Sequence, residues 1–118
     1  MNKNVTGVVG PCASGKSTLV TGLKARGYQV KHIAQEHSYV PDMWQRFAKP
    51  DRLIYLDVSY VVSKERRKLN WTIDEFQEQV NRLLHGRAHA DFYLMTDNLS
   101  VEEVLERVLS FIHNADQD

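Results

Sequence analysis

Eight consecutive residues, Gly10-Pro11-Cys12-Ala13-Ser14-Gly15-Lys16-Ser17, combine the groups needed to hold a chain of phosphates. The spacing G-x-x-x-x-G-K-[ST] places two glycines where the backbone must curl, so that successive N–H groups point inward at anionic oxygens. Lys16 supplies an ammonium with the reach to touch β- and γ-phosphates, and the Ser17 hydroxyl is placed to join a Mg²⁺ shell. Thr18, the next residue, is expected to help hold the α-phosphate. The residues expected to bind the nucleotide are thus Gly10, Pro11, Cys12, Ala13, Ser14, Gly15, Lys16, Ser17 and Thr18. Cys12 stands at a variable position of the pattern. It reads as a tolerated small residue, with a thiol placed as an alkylation handle beside the nucleotide.

Such a loop works only between a strand and a helix, because the helix adds its positive N-terminal end to the same spot. Val5–Val9 reads as the strand, and "KSTLVTGLKARG" sets Leu19, Val20 and Leu23 on one helical face, with Gly27 as the stop. Tyr28–Ala34, Arg52–Val58 and Asp91–Thr96 read as further strands. The Arg52–Val58 run is nearly continuous in apolar residues, which suits a buried parallel strand.

Helical patterns separate these strands. Val40, Met43, Trp44 and Phe47 fall at i, i+3, i+4 and i+7, which predicts a helix around Pro41 with Met43, Trp44 and Phe47 in the core. "TIDEFQEQVNRLLHGR" carries Ile73, Phe76, Val80, Leu83 and Leu84 on one stripe. A last helix carries Val101, Val104, Leu105, Val108, Leu109 and Ile112. Thr72 with Glu75, and Ser100 with Glu103, have the spacing of capping boxes. Strands alternating with helices predict right-handed β-α-β units and a parallel sheet, hence an α/β fold.

The bulk numbers narrow the partners. A chain of 118 residues with 42% hydrophobic and 25% charged residues reads as one domain over 1–118. Fifteen basic and fifteen acidic residues cancel, so no broad attraction to nucleic acid or to an anionic membrane is indicated. A single cysteine excludes an internal disulfide and a multi-cysteine metal site. The four histidines outside the loop region, His32, His85, His89 and His113, show no metal-ligand pattern. The first ten residues are too short in apolar content for a secretory signal, and no segment approaches the roughly 20 apolar residues of a membrane span. A cytoplasmic protein is the expectation.

"GVVGPCASGKSTLVTGLKARGYQV" resembles the opening of small P-loop kinases of the shikimate, adenylate and nucleoside kinase type. "LIYLDVS" followed by "KERRKLN" resembles the strand that leads into their lid, and "HADFYLMTDNLSVEEVLERVLSFI" resembles their final strand and closing helix. The likeness is spread over much of the chain, although only the octapeptide is highly specific. It implies a three-layer α/β/α fold, with ATP and Mg²⁺ as cofactors. It also implies that Arg66 and Arg67 close from the lid over the transferring phosphoryl group. Planar, multidonor guanidinium groups suit phosphate oxygens, although "SKERRK" equally has the composition of a solvated helix face. Trp71 either stacks on a base or anchors the next helix.

The sequence also departs from that family, whose members usually have five parallel strands and a substrate-binding insertion. Here there are four strands, and only "EHSYVPDMWQRFAKP" joins the second to the third. Either an acidic strand is lost or the second strand has moved beside the first; the latter gives a sheet order of 2-1-3-4. Two carboxylates then compete to support Mg²⁺ alongside Ser17. Glu36 follows the second strand, and Asp57 closes "LIYLDV". Asp57 has an alternative role, capping the next helix with Ser59, and Glu36 an alternative as an exposed loop acid. Glu36 is also the expected base toward an acceptor hydroxyl. His37, Tyr39, Asp42, Trp44 and Arg46 are expected around an acceptor pocket. Arg87 precedes the last strand, where similar kinases often place an arginine that contacts phosphate or substrate.

The expected function is transfer of the γ-phosphoryl group of ATP to a small-molecule acceptor, with Lys16, Arg66, Arg67 and Glu36 as the catalytic set. The alternatives are a nucleotide-binding module without an efficient reaction, and a slow NTPase switch. The switch would need a water-positioning residue that the sequence does not identify. The guanine-specifying N-K-x-D is absent, which favours adenine.

Overall fold

The computed structural model describes residues 4–67 and 70–117. In chain order the elements are β1 (Val5–Val9), α1 (Lys16–Ala25), β2 (Gln29–His32), a 3₁₀ turn (Gln35–His37), α2 (Met43–Arg46), β3 (Arg52–Asp57), α3 (Tyr60–Arg67), α4 (Ile73–Arg82), α5 (Leu84–His89), β4 (Phe92–Met95) and α6 (Val101–Asp116). The four strands form one open sheet in the order β2-β1-β3-β4, as expected, and every pairing is parallel. β1 is therefore interior, with Val8 opposite His32 on one side and Ile54 on the other.

Side chains alternate across the sheet, so each face has its own core. On one face Val8, Ile54, Leu56 and Leu94 pack against Leu19, Val20 and Leu23 of α1 and Val104, Val108 and Ile112 of α6. On the other, Val9, Leu53 and Tyr55 pack with Ile33, Trp44 and Leu83. All six residues of β3 are buried. That explains the near absence of polar alternation in its sequence.

Both capping boxes form: Thr72 and Glu75 exchange side-chain and backbone hydrogen bonds at the start of α4, and Ser100 and Glu103 do so at α6. Two expectations need correction. The helix around Pro41 is only four residues long, so its seventh-position partner never comes round: Trp44 is buried but Phe47 is 81% exposed. Lys49, at φ +44 just before Pro50, turns the chain away toward β3. The stripe from Ile73 to Leu84 is not one helix either. The Leu83 N–H bonds to both Gln79 and Val80 carbonyls, tightening the last turn of α4, and a separate helix α5 begins at Leu84. Leu83 is fully buried at this corner, whereas Ile73 and Leu84 are exposed. No described helix is long and apolar enough to cross a membrane.

Candidate phosphate-binding site

The loop between β1 and α1 takes its shape from three residues with positive φ: Gly10 at +155, Ala13 at +69 and Gly15 at +100. A Cβ on Gly10 would lie 2.1 Å from the Leu56 carbonyl oxygen, so glycine is required where the loop leaves the sheet beside β3. Ala13 holds the left-handed region despite its Cβ, at a cost of about 1–2 kcal/mol, which is strain stored at the turn of the loop. α1 starts at Lys16, and both Ser17 and Thr18 are exposed on its first turn.

Lys16 is 5% exposed and folds back across the loop. Its Nζ donates to the carbonyls of Gly10 at 2.7 Å and Pro11 at 3.0 Å, and lies 3.0 Å from Glu36 Oε2. Glu36 is not an exposed loop acid. The 3₁₀ turn after β2 buries it to 4% exposure, and its Oε1 has no hydrogen-bond partner among the described residues. A cavity of about 340 Å³ opens here, lined by Cys12, Ala13, Gly15, Lys16, Ser17 and Thr18 of the loop with His32, Glu36, His37 and Arg67. Burial, and next the Lys16 charge, hold the His32 imidazole below its ordinary pKa. On the far side of the loop, a groove of about 810 Å³ runs between α1 and α6 past Thr18, Arg66, Thr96, Leu99 and Leu105.

The two arginines expected in a lid separate. Arg67 lines the cavity beside Lys16. Arg66 ties the loop to the end of β4: its Nη1 donates to the Ala13 carbonyl at 2.9 Å and Thr96 Oγ1 at 3.0 Å, and its Nη2 to the Thr96 carbonyl at 2.7 Å. Buried Thr96 in turn donates through Oγ1 to the Asp57 carbonyl at 2.8 Å.

Asp57 lies apart from the cavity lining. Its Oδ1 accepts from the Val58 N–H at 2.8 Å and its Oδ2 from the Tyr93 hydroxyl. The capping of α3 falls to Ser59, whose Oγ accepts from the Val62 N–H at 3.2 Å. Burial and then the bond to Asp57 push the Tyr93 hydroxyl up to about 12. Tyr55 stacks on Tyr93 with centroids 5.7 Å apart, and burial raises its pKa as well. The Arg87 guanidinium lies 4.9 Å from the Tyr93 ring, within this cluster. Trp71 packs edge-on to Phe76 at 5.7 Å, at the start of α4.

Of the residues expected around an acceptor, only His37 lines the cavity beside Lys16. Asp42 and Arg46 pair with each other at 2.8 Å on the surface, Tyr39 lies 4.4 Å from the Arg82 guanidinium, and Trp44 is core. Three polar residues that the sequence reading passed over support the site instead. Gln79, buried on α4, accepts from the Cys12 N–H at 3.0 Å and donates to Cys12 Sγ at 3.1 Å. Gln35, with no exposed surface, accepts from the Trp44 N–H and donates to the carbonyls of Val40 and Arg82, fixing the segment that carries Glu36. Thr96 is the third. The available signal for Gln79 was its position three residues after Phe76, a polar residue on an apolar stripe.

No protein-family model matches the chain, and a search of the curated proteins finds no match.

Proposed function

We propose that the chain is an ATP- and Mg²⁺-dependent phosphotransferase of the small P-loop kinase type, acting on a small-molecule acceptor. The observation that carries this reading is one cavity bounded by the curled loop, the Lys16 ammonium, the Arg67 guanidinium and the Glu36 carboxylate. Phosphoryl transfer asks for little else than positioning and charge neutralisation of this kind. Glycine-dependent curvature at Gly10, and Ser17 and Thr18 exposed on the first turn of α1, fit a phosphate chain and its metal.

Mg²⁺ bound there would neutralise charge on the phosphates, with Ser17 as its protein ligand and most other ligands from water and phosphate oxygens. Asp57 has both oxygens engaged away from the cavity, and so supports that ion less well than its position in the sequence suggested. Lys16 stabilises phosphate charge once it leaves Glu36, and that departure frees the Glu36 carboxylate to accept a proton from an acceptor hydroxyl. Arg67 faces the transferring group. Arg66 positions the loop through Ala13. The groove between α1 and α6, with Leu99 and Leu105, offers the apolar surface a nucleobase needs.

The test is ATP labelled at the γ-phosphate, incubated with a panel of nucleosides, nucleotides and hydroxy acids. Transfer to one class of acceptor is expected, and Glu36→Gln should abolish it while nucleotide still binds. Tight binding with no transfer to any acceptor would reduce the chain to a nucleotide-binding module.

A further inference from the structure

We propose that Cys12, Glu36 and His37 form a site for a borderline-soft divalent cation of the Zn²⁺ class at the rim of the phosphate cavity. One ligand atom from each of the three lies within 4.8 Å of the other two. Cys12 Sγ and His37 Nε2 are 3.9 Å apart, and His37 Nε2 is 3.8 Å from Glu36 Oε2. Bond lengths of about 2.0–2.3 Å to sulfur, nitrogen and oxygen set neighbouring ligand atoms of a tetrahedron about 3.3–3.6 Å apart. Small side-chain rotations close that gap, and His37 is exposed and has the freedom to make them.

The second observation is the Glu36 carboxylate itself. Its side chain is only 5% exposed; Lys16 occupies Oε2, and Oε1 is buried with no hydrogen-bond partner among the described residues. A buried carboxylate oxygen in that state is costly unless something binds it. A cation held by Sγ, Nε2 and this carboxylate would share its charge with Lys16, and a turn of the carboxylate would bring Oε1 to the ion.

The donor set decides the kind of ion. Thiolate, imidazole and carboxylate together suit Zn²⁺ and its neighbours, whereas Mg²⁺ and Ca²⁺ take oxygen ligands. Gln79 provides an outer shell, since its Nε2–H donates to Cys12 Sγ and its Oε1 accepts from the Cys12 N–H. Half-buried Cys12 and exposed His37 give an entry path from solvent. Three protein ligands leave one coordination position open, and the residues around it are those of the phosphate cavity.

The full chain, freed of metal with a chelator, is titrated with Co²⁺ and followed by absorption. One equivalent should bind, giving visible bands of a tetrahedral ion and a near-ultraviolet thiolate-to-cobalt band, all removed by added Zn²⁺. Cys12→Ser should lose the thiolate band. His37→Ala, at an exposed side chain that the fold does not need, should weaken Co²⁺ binding by at least about tenfold. His113→Ala on α6 should leave it unchanged, and a large excess of Mg²⁺ should not displace the ion. Absence of the thiolate band from the wild type, or equal affinity in His37→Ala, would overturn the proposal. No nucleotide is used, so this site and the phosphotransferase reading stand or fall separately.

Discussion

Lys16 is the counter-ion of buried Glu36, and in the proposed function it is the loop's phosphate cation as well. Its removal should therefore show in two measurements. Lys16→Ala is expected to abolish nucleotide binding in calorimetric titration. It should also cost about 3–5 kcal/mol in urea unfolding, because an uncompensated carboxylate is left inside. Adding Glu36→Gln should return most of that stability and none of the binding. If the double variant is no more stable than the single one, the ion pair is not what the loop's stability depends on. The tyrosines give a second reading at this scale. Burial and the bond to Asp57 raise Tyr93 from 10.0 to about 12, so the fold favours the neutral phenol. The stabilisation is complete below pH 10 and declines as the pH rises through about 12, since the unfolded chain ionises first. Of the five tyrosines, the two in this cluster should ionise late in an absorbance titration, and Tyr93→Phe should leave one late component. An unchanged curve would mean that Asp57 does not hold Tyr93 in solution.

Between elements, the pair of Arg52 and Asp116 joins the start of β3 to the last turn of α6 at 2.7 Å. The Arg52 side chain is 7% exposed and that of Asp116 is 26% exposed. Asp116→Asn should consequently cost about 2 kcal/mol in urea unfolding, less than a fully enclosed pair. A loss close to zero would show that solvent already screens it. Legibility in the sequence also divides by element. The strand before the loop, the loop, the buried run Arg52–Asp57 and both capping boxes are local patterns, and local patterns were readable. What a residue meets across the fold was not. Cys12 and Gln79 are 67 residues apart, and Asp57 and Tyr93 are 36 apart. Those distant partners draw Asp57 into a tyrosine cluster and set a glutamine behind the loop. The enclosure of Glu36 depends on Gln35 gripping the Arg82 carbonyl of α4, which no spacing near Glu36 announces. Phe47 failed as a core residue because periodicity presumes a helix that lasts long enough to use it.

For the molecule as a whole, a ligand that binds only the folded state stabilises it by mass action, by about 2.7 kcal/mol at a hundred times its Kd. ATP with Mg²⁺ should raise the melting temperature of the wild type in thermal unfolding, and leave Lys16→Ala unmoved. An equal rise in both would place the nucleotide somewhere other than the loop. The interior position of β1 has a consequence for synthesis. Its backbone is clasped by a residue 46 positions later, with the Val5 N–H on Asp51 Oδ2 at 2.6 Å and the Asp51 N–H on the Val5 carbonyl at 2.8 Å. Gly10 then turns against Leu56. A nascent chain that has not yet released β3 from the ribosome carries the whole octapeptide and no pocket. Long-range parallel pairing of this kind forms slowly. The loop thus takes its shape only when the third strand arrives, well after its own residues have been made.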